Sequence, residues 1–186
     1  MLKLRKNKKG FTLVELIVVI AIMAVLAGTI AGVTVSQLNK QTNNSAQSEV
    51  NTLMEDFKTF LLDYQLPTGT ITGDTESAPT TIRGSTTAFT MPDGETWNSK
   101  DGITNAGELT YAIMEFAAEA KETKGLNYDI LTKIPDGTNP TLPKAGTHKF
   151  VFAVTNTKTV TFSCQGKGTN AAVIKAEYTY SDVLGG

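Results

Sequence analysis

The sequence predicts an α+β fold, in which one long N-terminal α-helix packs against a C-terminal antiparallel β-meander. Three observations lead to this prediction. An uncharged apolar run near the N-terminus continues into residues 33–66, which hold neither proline nor glycine. Apolar residues between positions 46 and 64 recur in steps of three and four, the spacing of one helix face. Residues 148–181 instead alternate between apolar and polar side chains, as half-buried strands do.

The N-terminal apolar run is long enough to cross a membrane. Residues 16–35 contain no charged side chain, and Thr29 and Thr34 carry their only hydroxyl groups. At about 1.5 Å per residue such a helix rises roughly 30 Å, the thickness of a bilayer core. Because basic residues precede the run and none comes directly after it, we expect the N-terminus to face the cytoplasm. A plain signal anchor is compatible with the same pattern. The preceding basic residues are Lys3, Arg5, Lys6, Lys8 and Lys9.

Glu15 is the one charge between residues 11 and 35. A carboxylate in an apolar segment is costly and usually has a partner or a role. An isolated anchor would gain nothing from it. If the chain were cut between Gly10 and Phe11, the new α-amino group of Phe11 would lie four residues from Glu15. That amine could neutralise the carboxylate within one subunit or, better, between neighbours, where the pair would also fix axial register.

This junction closely resembles the prepilin processing motif of type IV pilins and related pseudopilins. The resemblance covers about residues 3–38: a short basic leader, a Gly-Phe junction, a glutamate and an apolar run. The motif itself reads Lys9-Gly10-Phe11-Thr12-Leu13-Val14-Glu15.

The resemblance implies a pathway as well as a fold. A membrane-embedded prepilin peptidase would cut after Gly10 and methylate the amine of Phe11, which makes residues 1–10 a leader peptide and residues 11–35 a transmembrane and filament-core segment. Glu15 would pair with the Phe11 amine of an adjacent subunit. The chain would sit in the cell membrane, then join an extracellular homo-oligomeric filament with the help of an assembly platform and a motor.

Small residues repeat along the apolar run. Ala24, Gly28 and Gly32 are spaced by four, and a small face of this kind allows helices to approach closely. We interpret the three as subunit-assembly residues, although glycine is also simply common in membrane helices. Many Gram-negative relatives carry a proline near the position of Gly32, which this chain lacks. Glycine could still permit local melting of the helix there.

Residues 36–66 form the amphipathic half of the same predicted helix, which runs from Phe11 to Gln65 and ends before Pro67. Its apolar stripe predicts a core contact that a sheet must cover. The stripe consists of Ala46, Val50, Leu53, Met54, Phe57, Phe60, Leu61 and Tyr64.

Residues 67–145 form a predicted variable region, rich in loops up to residue 100 and containing a short strand around Thr86–Thr90. Helical spacing predicts a second helix near 105–124, with a C-terminal cap at Gly125. In pilins, such a region commonly carries exposed adhesive or antigenic structure. The apolar stripe of the second helix comprises Leu109, Ala112, Ile113, Phe116, Ala117 and Ala120.

The C-terminal region, 146–186, is the predicted meander. Its strands are His148–Thr155, Lys158–Gln165 and Ala171–Ser181, joined by turns rich in Gly, Asn and Thr. The residues predicted to face the helix are Phe150, Phe152, Val154, Val160, Phe162, Cys164, Ala172, Ile174, Ala176, Tyr178 and Tyr180.

Composition and motifs argue against several function classes. Cleavage of residues 1–10 would remove five of the 17 basic residues and leave 12 basic against 18 acidic residues. Because nucleic-acid binding needs an excess of positive charge, we expect no nucleic acid as a partner. Cys164 is the single cysteine, which forbids an intramolecular disulfide. Gram-negative type IV pilins usually close a C-terminal loop with a disulfide, so the resemblance implies a Gram-positive, clostridial-like member. His148 is predicted to be a surface histidine. No zinc or phosphate-binding pattern occurs, and the acidic stretch 93–101 lacks the pattern of a calcium loop. We predict no catalytic residue, metal or cofactor.

The predicted function is a structural subunit of an extracellular type IV pilus, used for adhesion, aggregation or surface motility. Two alternatives stay open at this point. One is a pseudopilin of a type II secretion or competence DNA-uptake machine, which would share the same leader. The other is a membrane-anchored binding domain that never polymerises.

Overall fold

The computed structural model describes residues 10–122, 129–133 and 141–181. A long N-terminal helix is followed by a C-terminal antiparallel region, which confirms the predicted α+β class. The chain divides into two compact units, Met1–Lys40 and Gln41–Gly186. The elements are α1 (Leu13–Leu62), β1 (Thr70–Thr72), β2 (Thr75–Ser77), α2 (Ala106–Glu122), β3 (Asp129–Lys133), β4 (Lys149–Val154), β5 (Thr159–Gln165) and β6 (Val173–Thr179).

Helix α1 is slightly shorter than predicted at both ends. It begins two residues after Phe11, because Thr12 caps it, and it ends at Leu62 instead of Gln65. The backbone N–H of Tyr64 donates to the carbonyl of Leu61 at 3.4 Å, a tighter turn that closes the helix. The chain then leaves the helix and buries Leu66 in the core.

The main sheet has four strands in the order β3-β4-β5-β6. The pairs β4–β5 and β5–β6 are antiparallel, with Phe152 opposite Phe162 and Phe162 opposite Ala176, which confirms the predicted meander. Strand β3 pairs in parallel with β4, so the sheet is mixed. This strand was not predicted, because a five-residue segment with little apolar alternation carries a weak signal.

The core of the larger unit forms where the apolar stripe of α1 meets the sheet. The ring of Phe57 is fully buried, 5.8 Å from the ring of Phe162 on β5 and 5.4 Å from that of Phe116 on α2. Phe60 and Tyr64, predicted to be core residues, are only partly buried at its margin. Cys164 is buried, and burial raises the pKa of its thiol, as expected of an inert packing residue.

Helix α2 covers another side of this core. Its predicted stripe residues Leu109, Ala112, Ile113 and Phe116 are buried, together with Tyr111, which the helical spacing did not single out. Ala117 is only partly buried. The predicted contact of Ala120 and the predicted cap at Gly125 lie outside what the structure describes.

A carboxylate on α2 holds together the segment just after α1 and the loop before α2. Glu115 accepts a hydrogen bond of 2.8 Å from the Tyr64 hydroxyl and forms an ion pair with Arg83. The backbone N–H of Arg83 donates to the Tyr111 hydroxyl at 3.0 Å. Burial, and then the adjacent carboxylate, raise the pKa of Tyr64, which therefore stays a protonated donor.

The loop-rich region contains a small hairpin, β1–β2, closed by a two-residue turn at Gly73 and Asp74, where Gly73 has φ 63°. The strand predicted around Thr86–Thr90 is reduced to an isolated bridge between Thr81 and Ala88. Few alternating apolar side chains occur there, so a longer strand would have little to bury.

Gly69→Ala should destabilise this region, because an added Cβ would overlap the backbone carbonyl of Ser77 and contact the indole ring of Trp97. Backbone cannot move aside as cheaply as a side chain, and we expect a loss of about 1–3 kcal/mol in the free energy of unfolding. Chemical unfolding followed by the fluorescence of Trp97, the single tryptophan, measures it. The neighbouring exposed variant Thr68→Ala should be neutral. Equal stability of the two variants would contradict the prediction.

Candidate functional site

The junction between Gly10 and Phe11 lies in non-helical backbone ahead of α1. Gly10 is exposed, and a side chain added to it would meet nothing within 4 Å. Phe11 is 91% exposed, an unusual environment for an aromatic ring. A processing enzyme could therefore reach this peptide bond without unfolding any described element.

Thr12 and Glu15 form a capping box at the start of α1. The backbone N–H of Glu15 donates to Thr12 Oγ1 at 3.2 Å. Glu15 Oε2 in turn accepts from the backbone N–H of Thr12 at 2.8 Å and from its hydroxyl at 2.9 Å. The reciprocal bonds satisfy donors that a helix N-terminus otherwise leaves without partners.

This geometry corrects one step of the sequence analysis. The expectation that an isolated anchor gains nothing from Glu15 was wrong, because the carboxylate caps its own helix. The pattern Thr-x-x-Glu before an apolar run could have revealed the cap. Both local bonds use the same oxygen, Oε2, and Oε1 accepts no bond from the described residues. The carboxylate can therefore cap its own helix and still receive a second donor.

The N-terminal half of α1 is an exposed apolar surface. None of residues 10–38 is buried within the chain. Such a continuous apolar surface is unfavourable in water and marks contact with a membrane or another protein. Its large apolar side chains are Phe11, Leu13, Val14, Leu16, Ile17, Val18, Val19, Ile20, Ile22, Met23, Val25, Leu26, Ile30, Val33, Val35 and Leu38.

The small residues lie on this same surface. Ala24 is exposed, and a Cβ added at Gly28 or Gly32 would meet nothing within 4 Å. Helix α1 is continuous through both glycines. The spacing of four puts the three residues on one side of the helix, where another backbone could come close.

The polar groups of the apolar half are satisfied within the helix itself. Thr29 Oγ1 donates to the carbonyl of Leu26 at 3.0 Å, and Thr34 Oγ1 donates to that of Ile30 at 2.8 Å. These bonds lower the cost of placing hydroxyl groups in hydrocarbon. By length and composition α1 qualifies as one membrane-crossing helix, a test that a signal sequence would also pass.

The other residues weighed in the sequence analysis form no competing site. His148 lies just before β4, half-exposed, with Nδ1 3.1 Å from Glu49 Oε1. The Glu95 carboxylate accepts from the backbone N–H of Gly107, and Asp101 accepts from Asn98. Within residues 10–122, 129–133 and 141–181, no group of three or more His, Cys, Asp or Glu side chains could hold a metal ion.

Comparison with known proteins identifies one family model. Residues 5–31 match the prokaryotic N-terminal methylation motif, a segment that includes Gly10, Phe11, Glu15, Ala24 and Gly28. The match carries no information about a Gram-positive, clostridial-like source. No curated protein and no solved structure matches the chain.

Proposed function

We propose that this chain, whose methylation motif supports a type IV pilin-like prepilin, is a structural subunit of an extracellular type IV pilus. The observation that carries the proposal is the exposed apolar half of α1, preceded by an accessible Gly10–Phe11 bond. The motif indicates a structural protein of the pilin type, and we assign no catalytic residue.

The first step of the proposed mechanism is residence in the membrane. The apolar half of α1 spans the bilayer, with the basic leader on the cytoplasmic side. The motif implies that prepilin peptidase processes the chain there. Cleavage between Gly10 and Phe11 and methylation of the new amine would leave one positive charge beside the capped helix end.

The second step is transfer into a filament. Exposing apolar surface to water costs about 2.5 kcal/mol for each 100 Å², so a helix withdrawn from lipid must be covered at once. Other copies of the same helix can cover it. Because lipid and a packed helical core are both apolar, the two locations differ little in free energy, which would make assembly reversible.

Two features would give the assembly its register. Glu15 Oε1 is open to the Phe11 amine of an adjacent subunit, while Oε2 keeps its capping bonds. The ion pair would form at one axial offset between neighbouring helices. Every other offset would leave a buried charge without a partner, which is strongly destabilising. The face of Ala24, Gly28 and Gly32 would then allow neighbouring helices to approach closely.

The pilus would serve adhesion, aggregation or surface motility, with an assembly platform and a motor as partners. A pseudopilin of a secretion or DNA-uptake machine remains the alternative. Deletion of the gene for this chain, followed by electron microscopy of the cell surface, distinguishes the pilin from the pseudopilin. Loss of long surface fibres supports the pilin, whereas loss of export or DNA uptake with fibres unchanged supports the pseudopilin.

Gly10→Val should block processing. A Cβ at this position meets open space, so the substitution should leave the chain's own fold unchanged while obstructing recognition of the scissile bond. Intact-mass measurement should find wild-type surface material beginning at methylated Phe11, and Gly10→Val should accumulate as full-length precursor in the membrane without fibres.

A matched variant, Thr68→Ala in the larger unit, should be processed normally. If native surface material still carried residues 1–10, or if Gly10→Val were processed and assembled like the wild type, the proposed function would be wrong.

A further inference from the structure

Charge is divided unevenly between the segments of the larger unit. Residues 41–122 hold 13 acidic and four basic residues, so this part of the chain is strongly acidic. Residues 141–181 have the opposite balance, with five lysines and a single acidic residue, Glu177. The lysines are Lys144, Lys149, Lys158, Lys167 and Lys175.

Three of these lysines lie at one end of the main sheet. Lys149 begins β4, and Lys167 comes two residues after Gln165, the last residue of β5. Because β4 and β5 are antiparallel, the start of one strand lies beside the end of the other. An isolated bridge between Lys144 and Gln165 brings Lys144 to the same end. All three lysines are exposed, so this end of the sheet is a basic surface.

Helix α1 enters the larger unit at this same end. The Asn43 side chain pairs with the backbone of Lys167, accepting from its N–H at 2.7 Å and donating to its carbonyl at 3.1 Å. A Cβ added at Gly146, two residues after Lys144, would lie 2.9 Å from the Thr42 side chain. The basic end is therefore held against the first residues of α1 that belong to the larger unit, which begins at Gln41.

Chain connectivity keeps the basic end close to the apolar run. Thr42 follows Val35, the last residue of that run, by seven positions, a rise of about 10 Å in a continuous helix. The headgroup layer extends about 5–8 Å beyond the hydrocarbon core. If residues 16–35 span a bilayer, the chain itself holds the basic end near the headgroups, about one Debye length from their charges at physiological salt.

Lys144 and Lys167 are available to an external anion. Neither ammonium group forms a hydrogen bond or an ion pair with a described residue, unlike Lys58 and Lys175, which pair with glutamates at 2.8 Å. Lys149 is different, because it lies opposite Asp129 in the register of β3 and β4.

Glu49 also lies at this end of the unit, but it does not face these two lysines. Its side chain is only 17% exposed, and its Oε1 lies 3.1 Å from His148 Nδ1. The positive charge of Lys144 and Lys167 is thus not cancelled by a described carboxylate.

The chemistry of this surface favours a layer of anionic headgroups. A lysine is a point charge on a long, flexible side chain, which binds a phosphate group without a shaped pocket. Nucleic acid is a poor partner, because the acidic segment 41–122 of the same unit would repel it. The acidic surface of a second copy is a possible competitor. Lipid is favoured because a chain anchored by residues 16–35 meets the headgroups before it meets another copy.

We propose that Lys144 and Lys167 bind anionic lipid headgroups while the chain resides in the membrane. The inference rests on membrane residence, which is the first step of the proposed function, and does not depend on filament formation. Each lysine near an anionic surface should favour the bound state about fivefold.

The reactivity of individual lysines tests this proposal. The full chain is placed, one copy per disc, in nanodiscs of phosphatidylcholine with or without phosphatidylglycerol, and amine acetylation is followed by mass spectrometry. Phosphatidylglycerol should slow acetylation of Lys144 and Lys167 about fivefold, and about 1 M salt should abolish the effect. Lys158, in the turn at the opposite end of β4 and β5, should react equally in both lipids.

Four outcomes would overturn the proposal. Equal reactivity of Lys144 and Lys167 in the two lipids would do so, while leaving the proposed pilus unaffected. Protection by inorganic phosphate in phosphatidylcholine discs would indicate a site for a free anion. Protection only in discs that hold two copies would indicate a contact between subunits. Failure of the chain to enter either lipid would refute membrane residence as well.

Matched lysine variants supply a second readout. Lys144→Gln combined with Lys167→Gln should lower the preference for phosphatidylglycerol over phosphatidylcholine, measured as lipid retained by the chain in native mass spectrometry, about fivefold per lysine. Lys58→Gln combined with Lys158→Gln removes the same charge elsewhere, since Lys58 lies about 22 Å beyond Asn43 along α1. This control should retain lipid as the wild type does. Equal losses in both double variants would refute the assignment to Lys144 and Lys167.

Discussion

Glu15→Gln is expected to abolish filaments while leaving cleavage and membrane insertion intact. The amide keeps an oxygen that can accept the capping bonds of Thr12, but it carries no charge for the Phe11 amine of a neighbour. A buried charge that loses its partner costs about 3–5 kcal/mol. Repeated at every subunit, this penalty should reduce fibres below detection by electron microscopy, while intact mass should still report a chain beginning at Phe11.

Thr12→Ala is the control that separates capping from charge pairing. It removes the Oγ1 acceptor of the capping box but leaves the carboxylate of Glu15 in place. Loss of such a cap costs about 1 kcal/mol, so filaments should persist at reduced yield. If Thr12→Ala were as defective as Glu15→Gln, the helix cap and not the charge would be what assembly needs.

Phe57→Ala is expected to give the largest loss of stability in the larger unit. The ring is fully buried and contacts Phe60, Phe116 and Phe162, which belong to α1, α2 and β5. Removing a buried phenyl ring leaves a cavity and costs about 3–5 kcal/mol. Chemical unfolding of the detergent-solubilised chain, followed by Trp97 fluorescence, should show the corresponding drop in the free energy of unfolding.

Leu62→Ala provides the matched comparison on the same helix. Leu62 is 63% exposed at the end of α1, so its truncation should change the free energy of unfolding by no more than about 0.5 kcal/mol. A loss for Phe57→Ala no greater than that for Leu62→Ala would mean that the three elements do not share a core at this ring.

Regular elements with strong periodicity were predictable from the sequence. The stripe of α1 predicted the burial of Val50, Leu53 and Phe57, and alternation in β4 and β5 predicted that of Phe152 and Phe162. In both cases the spacing follows from local backbone geometry, so no knowledge of distant residues was needed. The processing site at Gly10 and Phe11 could also be proposed from the sequence, because its signals are contiguous in the chain.

Elements that depend on distant partners were not predictable. Strand β3 pairs in parallel with β4, some twenty positions later in the sequence, and its own five residues barely alternate. The ion pair between Arg83 and Glu115 likewise joins residues that come together only after folding. Local sequence does not encode which segments will approach one another, because that choice depends on the total free energy of the packed core.

The sequence by itself determined the apolar N-terminal segment, the proposed cleavage point and the helix-then-meander order, since each rests on charge, hydropathy or short-range periodicity. Only the tertiary structure decided that Glu15 caps its own helix with one oxygen and that Phe60 and Tyr64 stay at the margin of the core. Burial and hydrogen-bond satisfaction are properties of neighbours in space, which a linear pattern constrains but does not specify.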